Sequence, residues 1–324
     1  MKAALAELAA IASALADPQR TLDTLIGETG RLQRLMEQHC ALSLTQVERM
    51  RDGESFLPSG WAISPVQAAL CAREPYRTAA FIQGLALAVQ ERLQADRPVR
   101  VLYAGCGPFA LLAMPLMALF TPSQVQFCIL EVHAETLDYA RGLIDKFGFS
   151  GHVSDFFCTD AAEFRIPAQS LPDVIVSETM NTALGKEPQV TIMRNLHAQA
   201  PQAALVPSAV TVHLGMDRPR LEEPCTDFGL LFTLDAPSMQ AWQQDRNAQG
   251  DSLPAATLRL PDMLEREPRL LTRIRVYRDI VLGDYHSSLN LPLRLPGKPK
   301  LDGGTTLAFH YRLGAQPGLD FRIV

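Results

Sequence analysis

Two glycines and an acid define the first chemistry open to this chain. Gly105 and Gly107 follow the apolar run Val99-Arg-Val-Leu-Tyr-Ala104, and Glu131 closes the next such run, which begins at Val125. A glycine turn between strand and helix lets the backbone approach a ligand with no Cβ in the way. An acid ending the following strand can accept both hydroxyls of a ribose. The combination points to a nucleoside-bearing cofactor but leaves its identity open. Gly105, Gly107 and Ala110 fit G-x-G-x-x-G/A, which suits NAD(P), while Gly-x-Gly with an acid on the next strand suits S-adenosylmethionine (SAM) equally. A glycine turn in an α/β protein that binds no nucleotide is the plainer alternative.

Other residues gather at the same depth of the fold. Asp160 and Ala161 end a strand-like run around Phe156-Phe157-Cys158, where Asp160 can accept from an adenine amino group or cap the next turn. Ser177-Glu178 closes the buried run Val174-Ile-Val176, and a polar pair at the carboxyl end of a buried parallel strand faces the ligand crevice. A further acid, Glu187, lies beyond the loop 179–186. Upstream, Arg77 follows the helix break at Pro75; it can hold a carboxylate, or make an ion pair between helices.

The elements that must position these residues read in order. Leu5, Leu8, Ile11 and Leu15 recur at helical spacing, Asp17-Pro18 interrupts, Leu22, Leu25 and Ile26 resume, and a new helix begins around Leu32 after Gly27 and Gly30. This predicts a helical cap over residues 1–60, either stabilising the rest or enclosing a substrate. Ser64-Pro65 starts a helix, residues 79–93 continue one after Pro75, and 136–147 form another that Gly148 ends. Strands at 99–104, 125–131, 156–158 and 174–177, with the pair 203–207 and 210–214 closing the sheet, predict a dinucleotide-type domain over 61–215. From Met216 short alternating runs (Leu230–Leu234, Leu270–Tyr277, Leu289–Leu295, Thr305–Leu313) predict a β-rich region over 216–324.

At 324 residues, 47% hydrophobic and 20% charged, the chain can bury a large core. Its formal charge of −5, with no run of Lys or Arg, argues against nucleic acid and for a small-molecule substrate. No apolar run is long enough to span a bilayer and the first residues lack a signal peptide's apolar centre, so a cytoplasmic location is expected, with no membrane partner. The six cysteines form no C-x-x-C pair, which favours neither a disulfide framework nor a zinc site.

Taken in order, these segments resemble the protein arginine methyltransferases, a branch of the class I SAM-dependent methyltransferases. Glu74-Pro-Tyr-Arg77-Thr78 is similar to the family's D-x-x-R-T segment, Gly105-Cys-Gly107 to its glycine turn, and Glu131 with Asp138-Tyr139-Ala140 to its ribose-binding acid and following helix. Ser177-Glu178-Thr-Met180, with Glu187 beyond, resembles the S-E-W-M double-glutamate hairpin that grips a guanidinium. The resemblance covers about residues 65–215. It implies an α/β fold with a Rossmann-like class I methyltransferase sheet, an N-terminal helical cap and a C-terminal β-rich appendage. It also implies SAM as cofactor, held by Arg77, Gly105, Gly107, Glu131, Asp160, Ala161 and Ser177, no metal, and Glu178 and Glu187 as catalytic acids; a homodimer stays an open reading, because the β-rich region from about Met216 is short for the family's barrel and dimerisation arm. Phe109-Ala110 replaces the usual Thr-Gly, Thr179 replaces the hairpin tryptophan, and no Thr-His-Trp loop is present, the nearest histidine being His286. These departures argue against protein substrates, and the helical N-terminal extension with a shortened barrel suits a small ligand enclosed on all sides.

A guanidinium is a poor nucleophile because its charge and lone pairs are delocalised. Two carboxylates gripping it concentrate positive charge on the far nitrogens and leave electron density on the one facing a methyl donor. The expected activity is therefore SAM-dependent N-methylation of a small guanidino or amino compound such as arginine. Two other readings remain: an enzyme using the amino-acid arm of SAM by transfer or cyclisation, releasing methylthioadenosine, and an NAD(P)-dependent oxidoreductase.

Overall fold

The computed structural model describes residues 1–44, 50–218, 220, 223–245, 248 and 250–324. Helices α1 (Lys2–Leu15) and α2 (Ile26–His39) are followed by a short hairpin, β1 (Ser55–Leu57) and β2 (Gly60–Ala62). α1 packs on both α2 and the later helix Ala113–Leu119, so the cap is built into the main core. α2 runs straight through Gly27 and Gly30, where the sequence suggested an interruption. Its buried stripe of Leu32, Leu35 and Met36 outweighs the roughly 1 kcal/mol that each glycine costs a helix.

Two helices lead into the sheet. α3 (Pro65–Leu70) opens on a complete capping box, Ser64 accepting from the Gln67 N–H while Gln67 bonds back to the Ser64 N–H. α4 (Pro75–Gln90) starts at Pro75, whose missing N–H costs nothing at a helix start, and is buried along most of its length. The chain then alternates β3 (Val99–Ala104), α5 (Ala113–Leu119), β4 (Val125–Glu131), α6 (Ala134–Phe147), β5 (Val153–Cys158), β6 (Val174–Ser177), α7 (Gln189–Gln199) and β7 (Ala204–Val206). The five strands pair in the order β5-β4-β3-β6-β7, all parallel, which brings the carboxyl ends of β3, β4, β5 and β6 to one edge. Between β3 and α5 the chain turns at Gly105 and Gly107, so α5 begins only at Ala113, later than the apolar pattern suggests.

The run 210–214 does not close this sheet as expected. β8 (Ala209–Met216) pairs antiparallel with β9 (Thr226–Asp235) and β11 (Pro268–Tyr277) in a second sheet, which also holds β12 (Ile280–Leu282) and β13 (Leu293–Arg294). The physical reason lies in its alternation: Val210, Val212 and Leu214 are buried while Thr211 and His213 turn outward, a one-sided pattern that a strand covered on both faces does not show. The β-rich region thus begins at Ala209 rather than at 216. It also holds a helix that the strand pattern hid, α8 (Ala236–Gln244), which Asp235 caps through the Ser238 N–H. A third sheet joins β10 (Ser252–Arg259), β14 (Thr306–Arg312) and β15 (Gly318–Ile323). The run Leu289–Leu295 is mostly irregular, with a single helical turn at Ser288–Asn290 before the two residues of β13.

Among the described residues no helix is long and apolar enough to cross a membrane, and no His/Cys/Asp/Glu group could hold a metal ion.

Candidate active site

The carboxyl ends of β3, β4 and β6 open onto a crevice lined by Gly105, Gly107, Glu131, Asp160, Glu178 and Glu187, with Arg77 at its inner end. Gly105 and Gly107 have φ of 75° and 61°, the left-handed region that side chains disfavour. A Cβ on Gly105 would lie 2.3 Å from Cγ2 of Thr179, so the glycine turn and the β6 exit are pressed together. Gly105→Ala is expected to destabilise the fold by about 2 kcal/mol or more, combining backbone strain with overpacking. The double variant with Thr179→Ala should recover only the overpacking part, which denaturant titration of both proteins would resolve.

Glu131 is buried and binds three backbone N–H groups: Gly107 to Oε2 at 3.1 Å, Val132 to Oε1 at 2.9 Å and His133 to Oε1 at 3.2 Å. Burial raises its pKa, and these three donors oppose that. An ionised carboxylate has about four acceptor positions, so one remains on Oε2. The acid therefore shapes the glycine turn as well as facing the crevice, and its free capacity is smaller than two ribose hydroxyls require.

Asp160 is also occupied. Its Oδ1 accepts from the Ala162 N–H at 2.9 Å, the turn-capping arrangement, while Oδ2 accepts from Ser59 Oγ at 2.7 Å. The second bond ties the β1–β2 hairpin to the far end of the crevice. Ser55 Oγ lies 2.9 Å from His133 Nε2, and the Trp61 N–H donates to the Lys186 carbonyl at 2.8 Å. The hairpin is thereby fastened to both walls. Nothing in the sequence marked Ser59 or Trp61, because the contacts are long-range and the hairpin is only two three-residue strands. Ala161 lines the crevice beside Asp160.

Arg77 is buried. It donates through Nη1 to Glu74 Oε1 at 3.1 Å and through Nη2 to Glu178 Oε2. The ion-pair alternative for Arg77 is thus realised, though inside the site and not on the surface. Glu74 is held in turn by the Ser288 N–H and hydroxyl, each at 2.7 Å. Glu178 Oε1 is buried without a hydrogen-bond partner among the described residues, an expensive state for a carboxylate oxygen. Ser177 departs from expectation: fully buried and absent from the crevice wall, its hydroxyl lies 3.0 Å from that of Thr179.

The loop joining Glu178 to Glu187 is strained. Ala183, Leu184 and Lys186 have φ of 55°, 55° and 68° without being glycines. Such strain persists only where surroundings enforce it, and here the β-rich region does so. Thr272 Oγ1 accepts from the Ala183 N–H at 2.9 Å, the Tyr311 hydroxyl donates to the Leu184 carbonyl at 2.7 Å, and Pro317 O accepts from the Lys186 N–H at 2.8 Å. From the other side the fully buried Gln189 accepts from the Thr179 N–H and hydroxyl, both at 2.9 Å, and donates to the Ser177 carbonyl at 3.0 Å. Gln189 is a positioning residue that sequence reading missed; a polar residue at a helix start carries no motif.

The electrostatics separate the two acids. Burial pushes the Glu187 carboxyl up to about 7, the charge of Glu178 adds to that, and Arg77 and a hydrogen bond from Asn181 partly offset it. For Glu178, burial also raises the pKa, against the pull of the Arg77 charge. Burial works against the charge on Arg77, but Glu178 foremost among its neighbours keeps its pKa raised, so Arg77 is a permanent cation. Cys71, on the same wall, is pushed up to about 11 by burial and is no nucleophile at neutral pH.

This parallel sheet, with its carboxyl-end crevice and β-rich C-terminal region, is the class I SAM-dependent methyltransferase fold. Solved structures similar to it are a Trypanosoma brucei protein arginine methyltransferase 1 enzyme–prozyme heterotetramer with S-adenosylhomocysteine and Arabidopsis thaliana protein arginine methyltransferase 10 in an open conformation. The first shares 12% identity at a TM-score of 0.53, covering 78% of this chain and 90% of that one. The second shares 11% at 0.50, covering 73% and 84%. No protein-family model matches the chain, and no curated protein matches it either.

Proposed function

We propose that the chain is a SAM-dependent N-methyltransferase acting on a small guanidino or amino compound, such as arginine or a derivative. One observation carries this reading. Two acids, the partly buried Glu178 with an unpartnered buried oxygen and the buried Glu187, whose carboxyl burial pushes up to about 7, share the crevice wall beside the glycine turn, where a cation would satisfy both.

The residues present suit SAM. Gly105 and Gly107 present bare backbone, Glu131 Oε2 keeps one acceptor position for a ribose hydroxyl, and Ala161 offers apolar surface beside the Asp160 turn. Arg77 uses two of its five N–H donors on Glu74 and Glu178, leaving three for the cofactor carboxylate. When bound, SAM supplies a methyl group already activated by its sulfonium. The chain's task is to orient and prepare the acceptor. Glu178 and Glu187 hold the guanidinium in fork fashion and polarise it, leaving density on the nitrogen to be methylated. That nitrogen gives up a proton as its new N–C bond forms. Glu187, with a pKa near the working pH, is the group able to hold it. The strained loop braced by Thr272 and Tyr311 fixes both acids before substrate arrives, which is preorganisation. Assembly with a second copy belongs to the same reading, supported by the heterotetrameric state of the trypanosomal neighbour.

The pH dependence follows from Glu187. Cation binding needs its ionised form, so kcat/KM should fall about tenfold per unit as pH drops below about 7. A raised carboxyl pKa also means that the apoprotein loses stability from this group as pH rises from the ordinary 4.5 through about 7. A bound guanidinium should remove that loss, so the thermal shift produced by arginine grows with pH. An acid limb that stays flat in Glu187→Gln, alongside a sloping one in the parent, would tie the profile to this residue.

Calorimetric titration with SAM and NADH tests the cofactor class. Saturable SAM binding, weakened in Glu131→Ala by roughly 2 kcal/mol, agrees with the reading; NADH binding without SAM binding turns it to the oxidoreductase alternative.

A further inference from the structure

The β1–β2 hairpin carries one feature that the two acids do not explain. Trp61 lines the crevice, and its indole Nε1 is buried with no hydrogen-bond partner among the described residues. An indole nitrogen is only a donor, so it calls for an acceptor that the neighbouring side chains do not supply. The strand that carries the ring is anchored. Its backbone N–H is fixed to the Lys186 carbonyl, next to Glu187, and Phe56 stacks on it from the paired strand at 6.5 Å between centroids and 15° between planes. A Cβ on the adjacent Gly60 would lie 2.9 Å from the Lys186 carbonyl oxygen and 3.3 Å from the Glu187 carbonyl carbon, so hairpin and acid loop are in close contact. Two carboxylates and a tryptophan whose buried N–H donor is unsatisfied therefore line the crevice from adjoining segments. The Ser59–Asp160 and Ser55–His133 bonds carry the hairpin across to the opposite wall and limit what can enter beneath it.

We propose, resting on the reading above, that the acceptor is a small guanidino acid. Its cation lies against Glu178 and Glu187 and its carboxylate accepts from Trp61 Nε1–H, which makes Trp61 the specificity-determining residue. Because the donor is already empty in the free protein, a ligand without a carboxylate leaves it as it was, whereas a carboxylate gains a hydrogen bond to a charged acceptor, so the discrimination is large for one hydrogen bond. The departure of Thr179 from the tryptophan of the resembling hairpin fits this arrangement, since a tryptophan reaches this site from β2 instead.

The test is calorimetric and needs no turnover. The full chain, saturated with S-adenosylhomocysteine, is titrated with L-arginine and with agmatine, which carries the same cation and no carboxylate. Arginine should bind roughly tenfold or more tightly than agmatine, as a hydrogen bond to a charged group implies. In Trp61→Phe, which keeps the ring and removes the donor, arginine affinity should fall to that of agmatine while agmatine affinity stays put. Equal affinities in the parent protein, a comparison independent of any variant's folding, overturn the proposal. So does a Trp61→Phe protein that loses both ligands alike, or a parent that binds neither. If arginine binds with the expected preference but no methylated product forms, the ligand assignment stands and the methyl-transfer reading alone fails.

Discussion

Replacing Glu178 or Glu187 by glutamine should lower turnover by about a hundred- to a thousandfold, the range seen when one preorganised electrostatic group is removed from a site. Affinity for SAM should change by no more than roughly threefold, because an amide keeps the shape and much of the hydrogen bonding of the acid. The physical difference is the field. A carboxylate stabilises an adjacent cation in a way a neutral amide cannot, and in a buried crevice that field is poorly screened. The two variants should also differ from each other. Glu178→Gln strips the charge that faces Arg77, while Glu187→Gln removes a group whose charged form burial disfavours in the apoprotein and should be tolerated better by the fold. Steady-state kinetics with parallel SAM titrations would measure both effects.

Arg77→Ala should be the most damaging single change to the fold of the site. The side chains of Arg77 and Glu178 are 8% and 14% exposed, so deleting the guanidinium strands a buried carboxylate, a loss of about 3–5 kcal/mol. Glu74 loses a partner as well, although Ser288 continues to hold it. Arg77→Lys keeps a charge but not the planar fork that reaches Glu74 and Glu178 together, so stability should be partly retained while SAM affinity still falls. Denaturant unfolding of the three proteins checks this. An Arg77→Ala protein as stable as the parent would mean that the buried pair contributes nothing net.

Much of the central sheet could be read from local pattern. Val174-Ile-Val176 is a continuous buried run and emerges as a central parallel strand; Gly148 ends α6 in the left-handed conformation; Pro75 starts a helix where a break was expected. The errors arose where tertiary contacts overrode local signals. α2 passes through two glycines because its apolar face is buried, and β8 leaves the first sheet despite following β7 closely. Glu178 stood out in the sequence because a polar residue ending a buried strand is costly without a use, whereas Glu187, beyond a loop, was singled out only by the resemblance. Their supports were not: Gln189, Ser59, Tyr311 and Ser288 act across the fold, from sequence positions that carry no periodicity or motif. The mutual engagement of Arg77 and Glu178 was likewise invisible, since the two are far apart in sequence and each had a separate reading.

The most direct test of the central claim is mass spectrometry after incubation with SAM carrying a trideuterated methyl group and a panel of guanidino and amino compounds. S-adenosylhomocysteine should form together with a product heavier by one labelled methyl, with fragmentation placing the label on the guanidino or amino nitrogen, and that product should be lost in Glu178→Gln. Methylthioadenosine as the sole nucleoside product, with no label on any acceptor, would contradict it.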